Sequence, residues 1–198
     1  KKWYGNLEYV VNWFDDGDEI KTETLLNYPQ LTRENLGWKI SNESYFFRRG
    51  ITWTATSSSY FGVRLTESGC LFDVKGSFAI PELDKLNLVL GLLCSPIAQY
   101  VVNVLNPTIE VQPRDVSNIP YSPSRIAPIE STVISNVDEL VSISKSDWRG
   151  NETSFGFSTL PWVNGVPKST RTRSAWEDWS QDRLSVRMRV KSLEEENN

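Results

Sequence analysis

A chain of 198 residues that is 39% hydrophobic, 23% charged and 12% aromatic is too apolar for a disordered segment and too charged for a membrane protein, and it can bury a real core. Its formal net charge is −4 and it has no histidine, so Ser/His/Asp and Cys/His catalysis are excluded, and an enzyme here would have to work with carboxylates, Tyr or Lys. Its two cysteines, Cys70 and Cys94, do not suffice for a zinc site and are expected to be buried reduced thiols.

In chain order, "WYGNLEYVVNWF" (3–14) carries Leu7, Tyr9, Val11 and Trp13 on one alternating face, which predicts a first strand. "DDGD" (15–18) reads as a turn, 19–27 as a short helix, and Tyr28-Pro29 as its end, because the residue before proline avoids the α region. From Gly37 to Pro81 the pattern is β-rich, with strands expected at "SYFFRR" (to 49), "ITWTAT" (51–56), "YFGVRL" (60–65), "CLFDV" (70–74) and "SFAI" (77–80). Residues 84–105 have Leu86, Leu90, Leu93, Ile97, Tyr100, Val101 and Leu105 at steps of three and four, a helical zone that Pro96 should kink or divide. The proline-rich "NPTIEVQPRDVSNIPYSPS" that follows predicts an extended exit. A mixed segment then runs from 129 to 167. A final helix from about 174 places Trp176, Trp179, Val186, Val190 and Leu193 at coiled-coil-like spacing, with Arg183 in the one polar seam position.

The fold class expected is α+β, a mixed or antiparallel sheet with packed helices. Three segments are expected: 1–32 as a packing region, 33–125 as the central domain, and 126–198 as an extension ending in a helix. No apolar run approaches the roughly 18 residues of a spanning helix, and the N-terminus shows no signal-peptide pattern, so the expected compartment is the cytoplasm. The chain starts Lys1-Lys2-Trp3 without an initiator Met and finishes "VKSLEEENN" inside a helical pattern, which predicts a piece of a longer protein.

Within 33–125 nine basic residues face eight acidic ones, a balance of +1. Non-specific nucleic-acid affinity comes mostly from phosphate neutralisation, so this charge argues against strong autonomous DNA binding, yet is compatible with a reader held on DNA by another domain. "FFRRG" (46–50) places Arg48 and Arg49 at a strand end, where planar guanidiniums could take a guanine edge or a phosphate, or simply be solvated. "TATSSSY" offers Thr54, Ser57, Ser58, Ser59 and Tyr60, hydroxyls and an aromatic suited to phosphates and base edges, with Arg64 in line with Tyr60 on an alternating strand; an inert hairpin loop has the same composition. The eight tryptophans admit a carbohydrate-binding face, but their scatter through apolar periodic segments fits core and contact positions better. Nucleotide, phosphate and zinc-protease motifs are absent, as is the [DN]PP[YF] loop that holds a flipped adenine in amino-methyltransferases.

The order of the pieces is more specific than any one of them. "YFFRRGITWTATSSSYFGVRLTESGCLFDVKGSFAIP", then "LGLLCSPIAQYVVNVL", then "NPTIEVQPRDVSNIP", flanked by "KKWYGNLEYVVNWFDDGDEIK" and "ISKSDWRGNETSFGF", resembles the target recognition domain of BREX-system adenine-specific DNA methyltransferases, the PglX proteins. The helix followed by "DVSNIPYSP" is more loosely similar to target recognition domains of type I restriction specificity subunits. The resemblance implies an upstream domain that transfers a methyl group from S-adenosylmethionine to a flipped adenine, while this chain, non-catalytic and without a cofactor of its own, selects the site in double-stranded DNA for phage defence. It also implies contact with the upstream methyltransferase domain, with other BREX subunits or with a DNA-mimicking phage inhibitor, and the last of these leaves open a protein-interaction platform centred on the Trp-rich final helix. Recognition residues vary with the target in this family, so residue chemistry and predicted loop placement choose the candidates: Arg48, Arg49, Thr54, Ser57, Ser58, Ser59, Tyr60, Arg64 and Lys75. Gly50, Ile51, Thr52 and Trp53 are expected to be scaffold.

Overall fold

The computed structural model describes residues 1–73, 75–164 and 171–198. It is an α+β structure in which a small antiparallel sheet is covered by a stack of helices, as expected. The sheet has β1 (Gly50–Trp53) at its centre, β2 (Val63–Thr66) on one side and β3 (Phe78–Ala79) on the other. Register pairs Ile51 with Leu65 and Trp53 with Val63 on one side, and Ile51 with Ala79 on the other. Trp3 covers the free edge of β2: its N–H donates to the Val63 carbonyl at 3.0 Å, and its carbonyl accepts from the Leu65 N–H at 2.9 Å.

Gly50 is where β3 comes closest to β1. A Cβ there would sit 2.5 Å from both the Ala79 carbonyl oxygen and the Phe78 ring, so only glycine allows this pairing. Gly50→Ala is expected to cost about 1–3 kcal/mol through overpacking, read as a lower urea midpoint at unchanged slope; an unchanged midpoint would mean β3 yields without cost.

The helices follow α1 (Phe14–Asn27), α2 (Leu86–Leu93), α3 (Pro96–Leu105), α4 (Pro113–Ser117), α5 (Pro123–Ile126), α6 (Glu130–Arg149) and α7 (Thr172–Glu196). α2 lies on β1 and β2 with its Leu86, Leu88, Leu90 and Leu93 buried. α6 packs on α2, where a Cβ at Gly91 would stand 3.0 Å from Val133 and Val137. α7 packs on α6 in the opposite direction, as Arg183 reaches Asp147 at 2.6 Å and Arg189 grips Glu139 through two bonds of 2.7 Å. Pro96 divides the predicted helical zone as expected, with a 66° bend; Ser95 caps α3 by accepting the Ala98 N–H. Among the described residues no single helix is long and apolar enough to cross a membrane.

One buried cluster draws Trp3 and Tyr4 from the N-terminal residues, Ile51, Trp53 and Leu90 from the centre, and Val137, Leu140, Trp148 and Leu193 from the C-terminal third. The beginning and end of the chain meet there: Lys2 Nζ and Trp3 Nε1 both donate to Glu194 Oε1, at 2.8 and 2.6 Å.

Several expected elements are corrected. Residues 7–13 form no strand, because Gly5 and Asn6 take left-handed backbone (φ 117° and 61°) that turns the chain off the sheet after Trp3, leaving Tyr9 and Val11 exposed. "SYFFRR" is likewise no strand: a one-turn helix at Glu43–Tyr45 and a positive φ at Phe47 interrupt it. Its aromatics pack instead, with Phe46 edge-on to Trp13 and Phe72. Cys70–Asp73 is irregular, with Val74 outside the described residues; Cys70 is half-buried rather than in a buried strand. Cys94 is buried, its thiol donating to the Val63 carbonyl at 3.5 Å, and burial pushes its pKa up to about 12. Both thiols are free.

The proline-rich stretch does not run out of the domain. Ser57 N–H donates to the Ile109 carbonyl at 2.9 Å and Val111 N–H to the Ala55 carbonyl at 2.7 Å, so residues 109–111 form a strap on the strand end. Pro113 and Pro123 then start short helices, where their missing N–H is not needed. The mixed segment is mostly α6, a 20-residue helix, while its residues 165–167 lie outside the described residues.

Candidate functional site

The hairpin from β1 to β2 ends in the hydroxyl-rich loop 54–60, and the strap and α3 close around it. Together they form a cleft of about 240 Å³ lined by Thr54, Ser57, Ser58, Ser59, Tyr60 and Phe61 from the loop, Gln99 and Asn103 from α3, and Pro107 to Ile109 with Val111 from the strap. The lining is rich in hydroxyls and amides and, among the described residues, contains no carboxylate. The loop is held by its own bonds: Ser59 N–H donates to Ser57 Oγ at 3.3 Å, and the two serine oxygens are 3.4 Å apart. Tyr60 is half-exposed beside them.

Under this loop lies Arg64, only 7% exposed. β2 is buried on both faces, so its alternation does not bring this side chain to solvent. Nη1 donates to Thr54 Oγ1 at 2.9 Å and to the Gly62 carbonyl at 3.1 Å, while Nε is buried without a partner. Among the described residues no carboxylate pairs with it, and burial pushes its pKa down. Because Thr54 Oγ1 accepts from a cation, its own proton is left to point elsewhere. A buried positive charge thus backs a surface of hydroxyl donors.

Across the cleft α3 contributes an ordered pair of amides. Gln99 Oε1 accepts from the Phe61 N–H, and Gln99 Nε2 donates to Asn103 Oδ1 at 2.9 Å. Gln99 and Asn103 escaped the sequence reading; their signal was two amides at i and i+4 on an otherwise apolar helix, the spacing that places both on one face.

The other candidates fall elsewhere. Lys75 is close to the strand end, its carbonyl accepting from the Ala55 N–H at 3.4 Å, but its ammonium is engaged by Glu110 at 2.8 Å. That hydrogen bond holds the Glu110 carboxyl below its usual range. Arg48 lies over the Tyr45 ring and Arg49 pairs with Glu67 at 3.4 Å. Both sit at the opposite end of β1, and the five extended residues from Arg49 to Thr54 span about 16 Å. The structure therefore brings together Thr54, Ser57 to Ser59, Tyr60 and the buried Arg64, with Lys75 alongside, and separates Arg48 and Arg49 from them.

The tryptophans divide too. Trp3, Trp53 and Trp148 are core. Trp162, Trp176 and Trp179 cluster with centroids 6.2 and 5.0 Å apart and planes at 82° and 37°, which is not the flat face a sugar ring would need.

No protein-family model matches the chain. Two curated proteins do: an adenine-specific methyltransferase PglX from Lacticaseibacillus casei (strain Zhang), 30% identical across all of this chain, and an adenine-specific methyltransferase BrxX from Escherichia coli O9:H4 (strain HS), 30% identical across 80% of it. The chain matches a segment of the PglX/BrxX adenine-specific methyltransferases. It spans 16% and 12% of the length of these two relatives.

Methyl transfer calls for S-adenosylmethionine, and the cleft of this PglX-type segment does not suit it. Among the described residues no carboxylate lines the cleft to take the ribose hydroxyls or the methionyl ammonium. What the cleft offers is hydrogen-bond donors and acceptors on a shallow, neutral surface backed by a cation.

Proposed function

We propose that this chain is the sequence-reading part of an adenine-specific DNA methyltransferase of the BREX phage-defence type, acting in the cytoplasm, and that it is not catalytic by itself. The observation that carries the reading is the hydroxyl and amide cleft at the hairpin end, free of carboxylates and backed by the uncompensated Arg64 cation. Such a surface repels nothing on a phosphate backbone and can exchange hydrogen bonds with base edges. Thr54, Ser57, Ser58, Ser59 and Tyr60 touch double-stranded DNA; Arg64 acts through Thr54; Lys75 and, further out, Arg48 and Arg49 meet phosphates. Residues upstream in the longer protein hold S-adenosylmethionine and the flipped adenine, and supply most of the phosphate grip that a chain of net charge −4 lacks.

The test is made in the full-length methyltransferase by long-read sequencing of genomic adenine methylation. Ser57, Ser58 and Ser59 changed together to Ala are expected to relax at least one position of the methylated motif. Arg64→Met is expected to lower methylation while leaving the melting temperature unchanged or higher, because it removes a buried cation that has no carboxylate partner. The unaltered motif at full level in both variants would refute the reading.

A second reading, a docking platform for other BREX subunits or a phage inhibitor, is favoured by the half-exposed Trp176 beside Trp162 and Trp179 on α7. Salt separates an apolar docking face from a contact with DNA or a DNA mimic: the latter weakens steeply as salt rises, whereas the former does not.

A further inference from the structure

Resting on the DNA-reading proposal, we infer that Asn103 is a specificity-determining residue that reads an adenine edge in the major groove, and that Gln99 is the residue that positions it. The Phe61 N–H can only donate, so the oxygen of Gln99 must face it and the Gln99 nitrogen must face away. That nitrogen meets Asn103, so the oxygen of Asn103 must be turned toward Gln99, as the 2.9 Å bond records. The hairpin loop thereby sets, through Gln99, the orientation of an amide one helical turn further along α3, and no rotation about the terminal bond of Asn103 is left free of cost.

With the orientation set, the remaining capacity of Asn103 can be counted. Oδ1 keeps one acceptor site, and among the described residues neither hydrogen on Nδ2 is engaged. The side chain is exposed and lines the cleft. It therefore presents one acceptor next to one donor, the complement of adenine, whose N6 donates and whose N7 accepts. Guanine would set its O6 acceptor against Oδ1, cytosine offers a donor alone, and thymine an acceptor and a methyl group. Adenine satisfies both halves of the Asn103 amide.

The experiment uses the full-length methyltransferase with Asn103→Ala, Asn103→Asp, Gln99→Glu and the triple serine variant, read by long-read methylation sequencing. The unaltered enzyme is expected to require an A·T pair at a position other than the modified adenine. Asn103→Ala should lose roughly 5- to 150-fold discrimination at that position, the range a bidentate pair supplies. Asn103→Asp keeps the acceptor and loses the donor, so preference there should move from adenine to cytosine. Gln99→Glu still accepts from Phe61 but cannot hold Asn103, and should weaken discrimination at the same position although Asn103 is intact. Where a variant methylates nothing, competition binding with duplexes carrying each base at each position gives the same reading. Unchanged preference at every position in both Asn103 variants, or a motif with no A·T pair beyond the modified adenine, overturns the assignment. If the triple serine variant shifts the motif in that case, only the role of Asn103 falls; if it too leaves the motif intact, the DNA-reading proposal falls with it.

Discussion

Trp53→Ala is expected to cost about 3–5 kcal/mol, the range for deleting a large buried aromatic. Trp53 is 1% exposed at the end of β1, and its Nε1 donates to the Val111 carbonyl at 3.2 Å. Truncation therefore opens a cavity under the hairpin and strands a buried carbonyl of the strap. Because the strap also accepts from Ser57, the loss should spread to the cleft. Hydrogen exchange at the Ser57 and Val111 amides is the sharpest readout, with Trp53→Phe as the comparison that keeps an aromatic ring but drops the N–H and part of the buried volume. If Val111 stays as protected in Trp53→Ala as in the unaltered protein, the indole does not fasten the strap.

Leu140→Ala is expected to cost about 2–5 kcal/mol. Leu140 and Val137 are fully buried where α6 lies on α2, and α7 rests on α6 in turn. Ser135→Ala, on the exposed side of the same helix, should stay within about 0.5 kcal/mol. Urea unfolding followed by both circular dichroism and tryptophan fluorescence is expected to move to lower urea as one coincident transition. Two separated transitions would instead show that residues 126–198 unfold apart from 33–125, the division drawn from the sequence.

The legible parts of the fold were those whose signal is local. Pro96 after a leucine-rich run announced two helices, and the spacing along 176–193 announced α7. Ile51 and Trp53 alternating with threonines announced β1. α6 was hidden because serines, threonine and β-branched residues fill it and weigh against a helix. Its apolar Val133, Val137, Leu140 and Trp148 nevertheless recur at helical spacing, and packing on α2 decides the matter. The false strand at 7–13 had the alternation but no partner, and alternation measures a pattern, not a neighbour. In the cleft, the serines and Tyr60 stood out by composition. Gln99 and Asn103 did not, because they face the loop only after the bend at Pro96 and because their chemistry depends on a backbone amide that no side-chain pattern encodes. Arg64 stood out as a charge, but its burial depends on Trp3 closing the edge of β2 from 60 residues away in sequence.

The bonds from Lys2 and Trp3 to Glu194 bring the first and last turns of this chain to one spot. Because Trp3 also closes the edge of β2, fraying the last turn of α7 and peeling Trp3 from the sheet are one event, so helix end and sheet edge open together.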